Sequence, residues 1–169
     1  MAAHGKEASQ FSPVLIATQH RADANLLAEQ LRGFDSSITT IWAQTVEGAL
    51  AAAEKQSLRL LFVEHSADGL AGLRMVKALR HSDWPCREAP VIMMVVQPTL
   101  QVMREAQNAG AHELLVRPFS AAQLGKRLQA LAAPRLWVET ASYVGPDRRR
   151  FNSAALLGPD RRRRRPSAG

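Results

Sequence analysis

Short apolar runs alternate with helical spacings along most of this chain. Val14-Leu15-Ile16-Ala17 is continuous rather than alternating, which predicts a strand buried on both faces. Asp23 then offers a helix cap, with Leu26, Leu27, Ala28 and Leu31 as the apolar positions and Gly33 as the stop. The β-branched stretch from Ile38 to Trp42 reads as a second strand. Thr45 caps a second helix carrying Val46, Ala49, Leu50 and Ala53. Leu58 to Val63 is a third strand, followed by a loop at Asp68, Gly69 and Gly72 and a helix through Leu73, Val76 and Leu79. Pro90 opens a fourth strand, Val91 to Val96, the most apolar run of the chain. Pro98 and Thr99 start a helix that Gly110 ends, Leu114-Leu115-Val116 is a short fifth strand, and Ser120 caps a last helix with Leu124, Leu128 and Leu131.

Five such strands, each followed by a helix, imply βαβ crossovers and a parallel sheet covered on both faces, an α/β fold. Sites in open α/β sheets form at the carboxyl ends of the strands. That rule brings Thr18, Gln19, Glu64, Val95 and Arg117 to one edge. The periodicity divides the chain into a flexible lead-in (1–11), a globular domain (12–132) and a tail (133–169) expected to be disordered. From Pro134 onward Pro, Gly, Ser and Arg dominate.

Composition changes the picture only in the tail. Apolar residues form 46% of the chain, enough for a packed core, and no apolar run approaches the ~20 residues that span a bilayer. The polar start and the single cysteine, Cys86, give no sign of an oxidising compartment, so a cytoplasmic protein is expected. The net charge of +7 is uneven: residues 134–169 hold 9 arginines and 3 acids, against 13 basic and 12 acidic residues before them. A tail of this kind points to an anionic partner. It contains a direct repeat at an offset of 13 residues, Tyr143-Val144-Gly145-Pro146-Asp147-Arg148-Arg149-Arg150 and Leu156-Leu157-Gly158-Pro159-Asp160-Arg161-Arg162-Arg163. Gly-Pro-Asp favours a turn, and the planar arginine fork suits phosphate oxygens and the guanine edge. Arg148, Arg149, Arg150, Arg161, Arg162 and Arg163, with Asp147, Asp160 and a stacking Tyr143, are therefore the candidate ligand-binding residues. Four alternatives stay open: a cyclic dinucleotide such as cyclic di-GMP, RNA or DNA held by counterion release, an acidic protein or lipid surface, or a solvated tail without a ligand. The histidines (His4, His20, His65, His81, His112) show no metal spacing and are expected at the surface or in loops, whereas Met93, Met94 and Met103 are expected in the core.

Several stretches carry a family resemblance. Gly110-Ala111-His112-Glu113-Leu114-Leu115-Val116-Arg117-Pro118-Phe119-Ser120, Pro90-Val91-Ile92-Met93-Met94, and the Leu60 to Leu73 segment with Gly72 resemble the fifth strand, the fourth strand and the third strand with its loop in the response-regulator receiver (CheY-like) family of two-component signalling. The resemblance covers about residues 13–132 and implies a flavodoxin-like, doubly wound five-stranded parallel sheet. It also implies an acceptor aspartate, a magnesium ion held by that aspartate and an acidic pair, a switch hydroxyl, a lysine and a switch aromatic. Here those positions fall on Glu64, on Thr18 and Gln19, on Val95, on Arg117 and on Leu114. A hard dication needs carboxylate oxygens, and phosphoryl transfer needs its charge neutralised. The expectation is a degenerate pseudo-receiver, not an enzyme, with no cofactor. Glu64 either stands in for a phosphorylated aspartate by pairing with Arg117, or is a tolerated acid that is ion-paired for lack of other use. The implied role is a phosphorylation-independent adaptor that docks a signalling or motility protein through its last helices, about Thr99 to Leu131. The alternatives are a phosphorelay regulator with a non-standard acceptor and a nucleic-acid-binding protein acting through its tail.

Overall fold

In this computed structural model residues 9–65 and 70–150 are described. The parallel strands are β1 (Val14–Ala17), β2 (Thr40–Ala43), β3 (Leu60–Glu64), β4 (Val91–Val95) and β5 (Glu113–Val116), in the order β2-β1-β3-β4-β5. Between and after them run α1 (Arg21–Phe34), α2 (Val46–Lys55), α3 (Ala71–Arg80), α4 (Leu100–Ala109) and α5 (Ala121–Ala132). The doubly wound, flavodoxin-like arrangement read from the periodicity and the resemblance is the one observed.

The continuous apolar strands are explained by the two cores. Leu15, Leu61, Val63 and Met93 face one core with α2, α3 and α4. Their neighbours Val14, Ile16, Leu60, Phe62, Ile92 and Met94 face the other with α1 and α5. A strand between two helical layers has no polar side to keep. Helix starts follow local chemistry: the hydroxyls of Thr45, Thr99 and Ser120 accept from the backbone N–H three residues on, and Ser120 forms a full capping box with Gln123. Gly110 ends α4 at φ 100°, a left-handed conformation that suits glycine.

Three expectations need correction. Asp23 does not cap α1; the helix begins at Arg21 with His20 at the cap position, and Gly33 lies inside it. The lead-in is not wholly free, because Phe11 packs against the α1–α5 core and Ser9 N–H donates to Ser37 Oγ at 3.1 Å. His112 stands in the bend before β5, a loop position as expected, but it is buried there. The pattern also does not stop at Pro134. Residues 137–146 form an antiparallel hairpin, β6 (Trp137–Glu139) and β7 (Val144–Pro146), followed by a 3-10 turn at Arg148–Arg150. The sequence hides the hairpin because its strands are three residues each and depend on contacts with the body rather than on their own periodicity. The loop expected at Asp68-Gly69 lies outside the described residues, as does the rest of the tail.

Candidate functional site

The carboxyl edge of the sheet gathers the residues expected there. β1 runs out at Ala17, so Thr18 and Gln19 sit beside the end of β3, where Glu64 is the last strand residue. Thr18 Oγ1 donates to Glu64 Oε2 at 2.7 Å, and Gln19 N–H donates to the same oxygen at 3.0 Å. Glu64 Oε1 forms an ion pair with Arg117 Nη2. Arg117 follows β5, held by its N–H to Val95 O at 2.7 Å, and its Nη1 reaches Asp23 Oδ2 at 2.7 Å. The Glu64 and Arg117 side chains are 19% and 18% exposed, so the pair is largely withdrawn from water and its charge-assisted bonds are correspondingly stronger. Val95 stands at the same edge but is buried in the α2–α4 core and brings no hydroxyl to Glu64. Leu114 is likewise core. Asp23 joins this site rather than capping a helix: it lies just after β1, at the edge already singled out, in the first turn of α1, where an acid also suits a cap position.

A cavity of about 290 Å³ adjoins this site, lined among others by Thr18, Gln19, Thr45, Glu64, Gly72 and Met75. Gly72 is obligatory here, since a Cβ would lie 2.3 Å from Glu64 O. The donor set does not fit the magnesium ion that the resemblance implies. Thr18 and Gln19 carry no charge, and both oxygens of Glu64 are already committed to cationic or N–H and O–H donors. Among the described residues no group of three or more His, Cys, Asp or Glu side chains converges on a metal position.

At the opposite edge the hairpin joins the body through a buried polar cluster. Glu113, only 1% exposed as a side chain, pairs with Arg127 Nη1 at 3.3 Å and with Arg135 Nη2. Arg135 Nη1 also donates to His112 O at 2.6 Å. Arg80 is fully buried; it donates to the carbonyls of Gly110, Arg87 and Ala89 and lies 5.3 Å from the Trp137 ring centroid. Burial pulls its pKa down to about 10, so it stays charged at neutral pH. His112 Nδ1 faces Arg80 Nη2 at 3.3 Å and Val91 N–H at 3.3 Å. It therefore acts as acceptor, and burial, with the Arg80 and Arg135 charges, holds the ring well below the usual histidine range. Nothing in the spacing of Glu113, Arg80 and Arg135 announces this cluster, because its members come from β5, the end of α3 and the segment before the hairpin.

The first tail repeat falls largely into this structure. Tyr143, expected to stack on a ligand, is instead 5% exposed and donates from its hydroxyl to Pro146 O at 2.7 Å. Arg148 lies over the Tyr143 ring at 4.4 Å and donates to Asn108 Oδ1 at 2.6 Å. Asp147 Oδ1 accepts from Arg149 N–H at 3.0 Å. The Arg149 side chain is exposed. The side chain of Arg150, and Asp160, Arg161, Arg162 and Arg163, lie outside what is described.

Comparison with known proteins gives the same picture over the same span. The family model for the response regulator receiver domain matches residues 14–129. The two-component response regulator ARR7 of Arabidopsis thaliana is 27% identical over 127 residues, which are 70% of this chain and 61% of that protein; the match thus spans less than two thirds of the relative's length. Among solved structures, the chemotaxis protein CheY4 of Vibrio cholerae superposes with a TM-score of 0.63 at 24% identity, covering 70% of this chain and 97% of that one. The receiver domain of NtrX from Brucella abortus gives 0.60 at 24% identity, covering 72% and 99%. At these identities the structures speak for the fold, and the family model carries the assignment. With its five-stranded parallel sheet and its β1, β3 and β5 ends converging on one edge, this chain belongs to the response regulator receiver domain family.

Proposed function

We propose that this chain is a receiver-domain signalling protein that works by docking rather than by taking up a phosphoryl group, and that it is not an enzyme. One observation carries the reading: Glu64, at the acceptor position, has both carboxylate oxygens engaged by Arg117, Thr18 and Gln19. A nucleophilic carboxylate must be free to attack, and the incoming phosphoryl charge must be neutralised by a cation. Here the cation is Arg117, and it neutralises Glu64 itself. The acid thus holds Arg117 permanently, as a phosphorylated aspartate would hold the cation transiently, which fixes one arrangement of the β5 end. A signalling or motility protein is the partner that suits the face from α4 to α5, about Thr99 to Leu131. The arginine-rich tail is read as the binding segment for an anionic ligand, with cyclic di-GMP as the candidate because it offers two phosphates and two guanines to arginine forks.

Incubating the full chain with magnesium and acetyl phosphate and measuring intact mass tests the first part. No mass gain is expected. A gain of one phosphoryl group on Glu64 would overturn the docking reading in favour of a phosphorelay with a non-standard acceptor. For the tail, calorimetry of the full chain with cyclic di-GMP and with a short RNA is the direct measurement. Saturable heat with the dinucleotide supports the reading; heat with RNA alone would favour a nucleic-acid-binding protein.

A further inference from the structure

The hairpin spends only part of its surface on the body. Trp137 lies against the guanidinium groups of Arg80 and Arg87, and Glu139 pairs with Arg87. Gly145 brings β7 so close to the end of α4 that a Cβ would lie 3.0 Å from the Cα of Gly110. The turn that follows is fastened to the same helix end. Arg148 O accepts from Gln107 Nε2 at 2.8 Å, and the Arg148 guanidinium donates to Asn108 Oδ1 at 2.6 Å. Leu136 and Val138 are left over from this packing. With Thr140, Tyr143 and the turn from Asp147 to Arg149 they line a cleft of about 460 Å³, within the range of about 300–1,000 Å³ usual for binding clefts. Leu136 is 76% exposed, the highest value of any large apolar side chain among the described residues. Apolar side chains that stay in water around one cleft mark an interaction surface.

The charge at the rim narrows what fills the cleft. The Arg149 backbone is fixed by its N–H bond to Asp147 Oδ1 at 3.0 Å, and its exposed guanidinium has no acceptor among the described residues. Arg148 meets a ring and an amide oxygen, neither of which carries a charge. Against these two arginines the described lining holds one acid, Asp147. An apolar floor under a net positive rim complements a segment that carries both carboxylates and aliphatic side chains. A nucleic acid suits it less, because its bases need an open aromatic face. The Tyr143 ring is covered by Arg148 at 4.4 Å, and the Trp137 ring faces Arg80 and Arg87. We propose that the cleft between the hairpin and the Arg148–Arg150 turn is a docking site for an acidic, leucine-containing segment of a partner protein. An aliphatic side chain of that segment seats on Leu136 and Val138, and a carboxylate pairs with the Arg149 fork. The site is distinct from the α4–α5 face and does not depend on dinucleotide binding by the tail.

Methyl and amide NMR of the full-length chain, titrated with the peptide acetyl-Asp-Leu-Asp-Leu-Asp-Leu-amide, tests this. Saturable shifts are expected at the Leu136 and Val138 methyls and at the Arg149 amide. Leu136→Ser and Arg149→Glu should each weaken binding by about tenfold at the wild-type Tm, because both side chains are exposed. A peptide with serine in place of each leucine should also bind about tenfold more weakly. Equal binding of the two peptides would reduce the interaction to charge and overturn the proposal. Unchanged affinity in Leu136→Ser, or no shift at the two methyls, would do the same. A short single-stranded DNA that moves those methyls at lower concentration than the peptide would make the cleft a nucleic-acid surface instead. Should either variant melt early, the wild-type shifts and the comparison of the two peptides decide. Cyclic di-GMP calorimetry is read separately, so a failure there leaves these shifts standing, and the reverse holds as well.

Discussion

Glu64 and Arg117 each occupy a position where a lone charge would be unstable, and each is stabilised chiefly by the other. Arg117→Ala should therefore cost about 2 kcal/mol in chemical denaturation, below the full penalty of a buried pair because both side chains keep some solvent contact. Arg117→Lys should recover only part of that, since an ammonium cannot hold Glu64 and Asp23 in the two-pronged way the guanidinium does. His112 sets a pH dependence of stability. Its ring accepts from Val91 N–H and faces Arg80, so a proton on Nδ1 would meet two donors and a fixed positive charge. The folded pKa is depressed below the unfolded value of about 6.5, so the native state binds fewer protons below that pH. The stability it confers is complete above about pH 6.5 and is lost as pH falls toward the folded value, with a limiting slope of about 1.4 kcal/mol per pH unit. Denaturant titrations between pH 7.5 and 5 should show this fall in the wild type and a shallower one in His112→Gln; equal slopes would exclude His112 as its source.

The elements are held in place by features at their ends. Gly72 lets the start of α3 close over the end of β3, where a Cβ would strike the Glu64 carbonyl. Gly72→Ala should shift that carbonyl and disturb the ion pair as well as the packing, a loss of about 2 kcal/mol or more with changed amide shifts at Thr18, Gln19 and Arg117. Caps explain why helix starts were readable: Thr45, Thr99 and Ser120 act on the next turn of their own chain, so the information is local. Asp23 shows the limit of that logic. An acid at the start of a helix suits the dipole whether or not it caps, and only the arrival of Arg117 from the far end of the domain gives it its partner.

Across the whole molecule, the hairpin extends the domain well past its last helix. A chain ending at Ala133 would lose Arg135 and leave Glu113, buried at the start of β5, with Arg127 alone at 3.3 Å. Such a chain should melt well below one ending at Arg150, with at least about 2 kcal/mol between them in denaturant titrations. Equal stability of the two would mean that the hairpin is not part of the folded unit. For the same reason the tail's ligand binding is best tested by substitution in the full chain rather than by removing everything after α5.

The sequence by itself determined the five strands, the starts of α2, α4 and α5 and the edge at which Thr18, Gln19, Glu64 and Arg117 meet, because strand burial and capping are written in neighbouring residues and parallel topology places all strand ends of one kind together. Tertiary structure alone decided that Asp23 joins Arg117, that Arg80, His112, Glu113 and Arg135 form a buried polar cluster, and that the first Gly-Pro-Asp-Arg unit belongs to the fold. Those contacts link residues from 22 to 94 positions apart or hang on an approach between two glycine backbones. No local periodicity encodes a pairing of that range; it exists only once the sheet and its helices have fixed where each end of the chain lies.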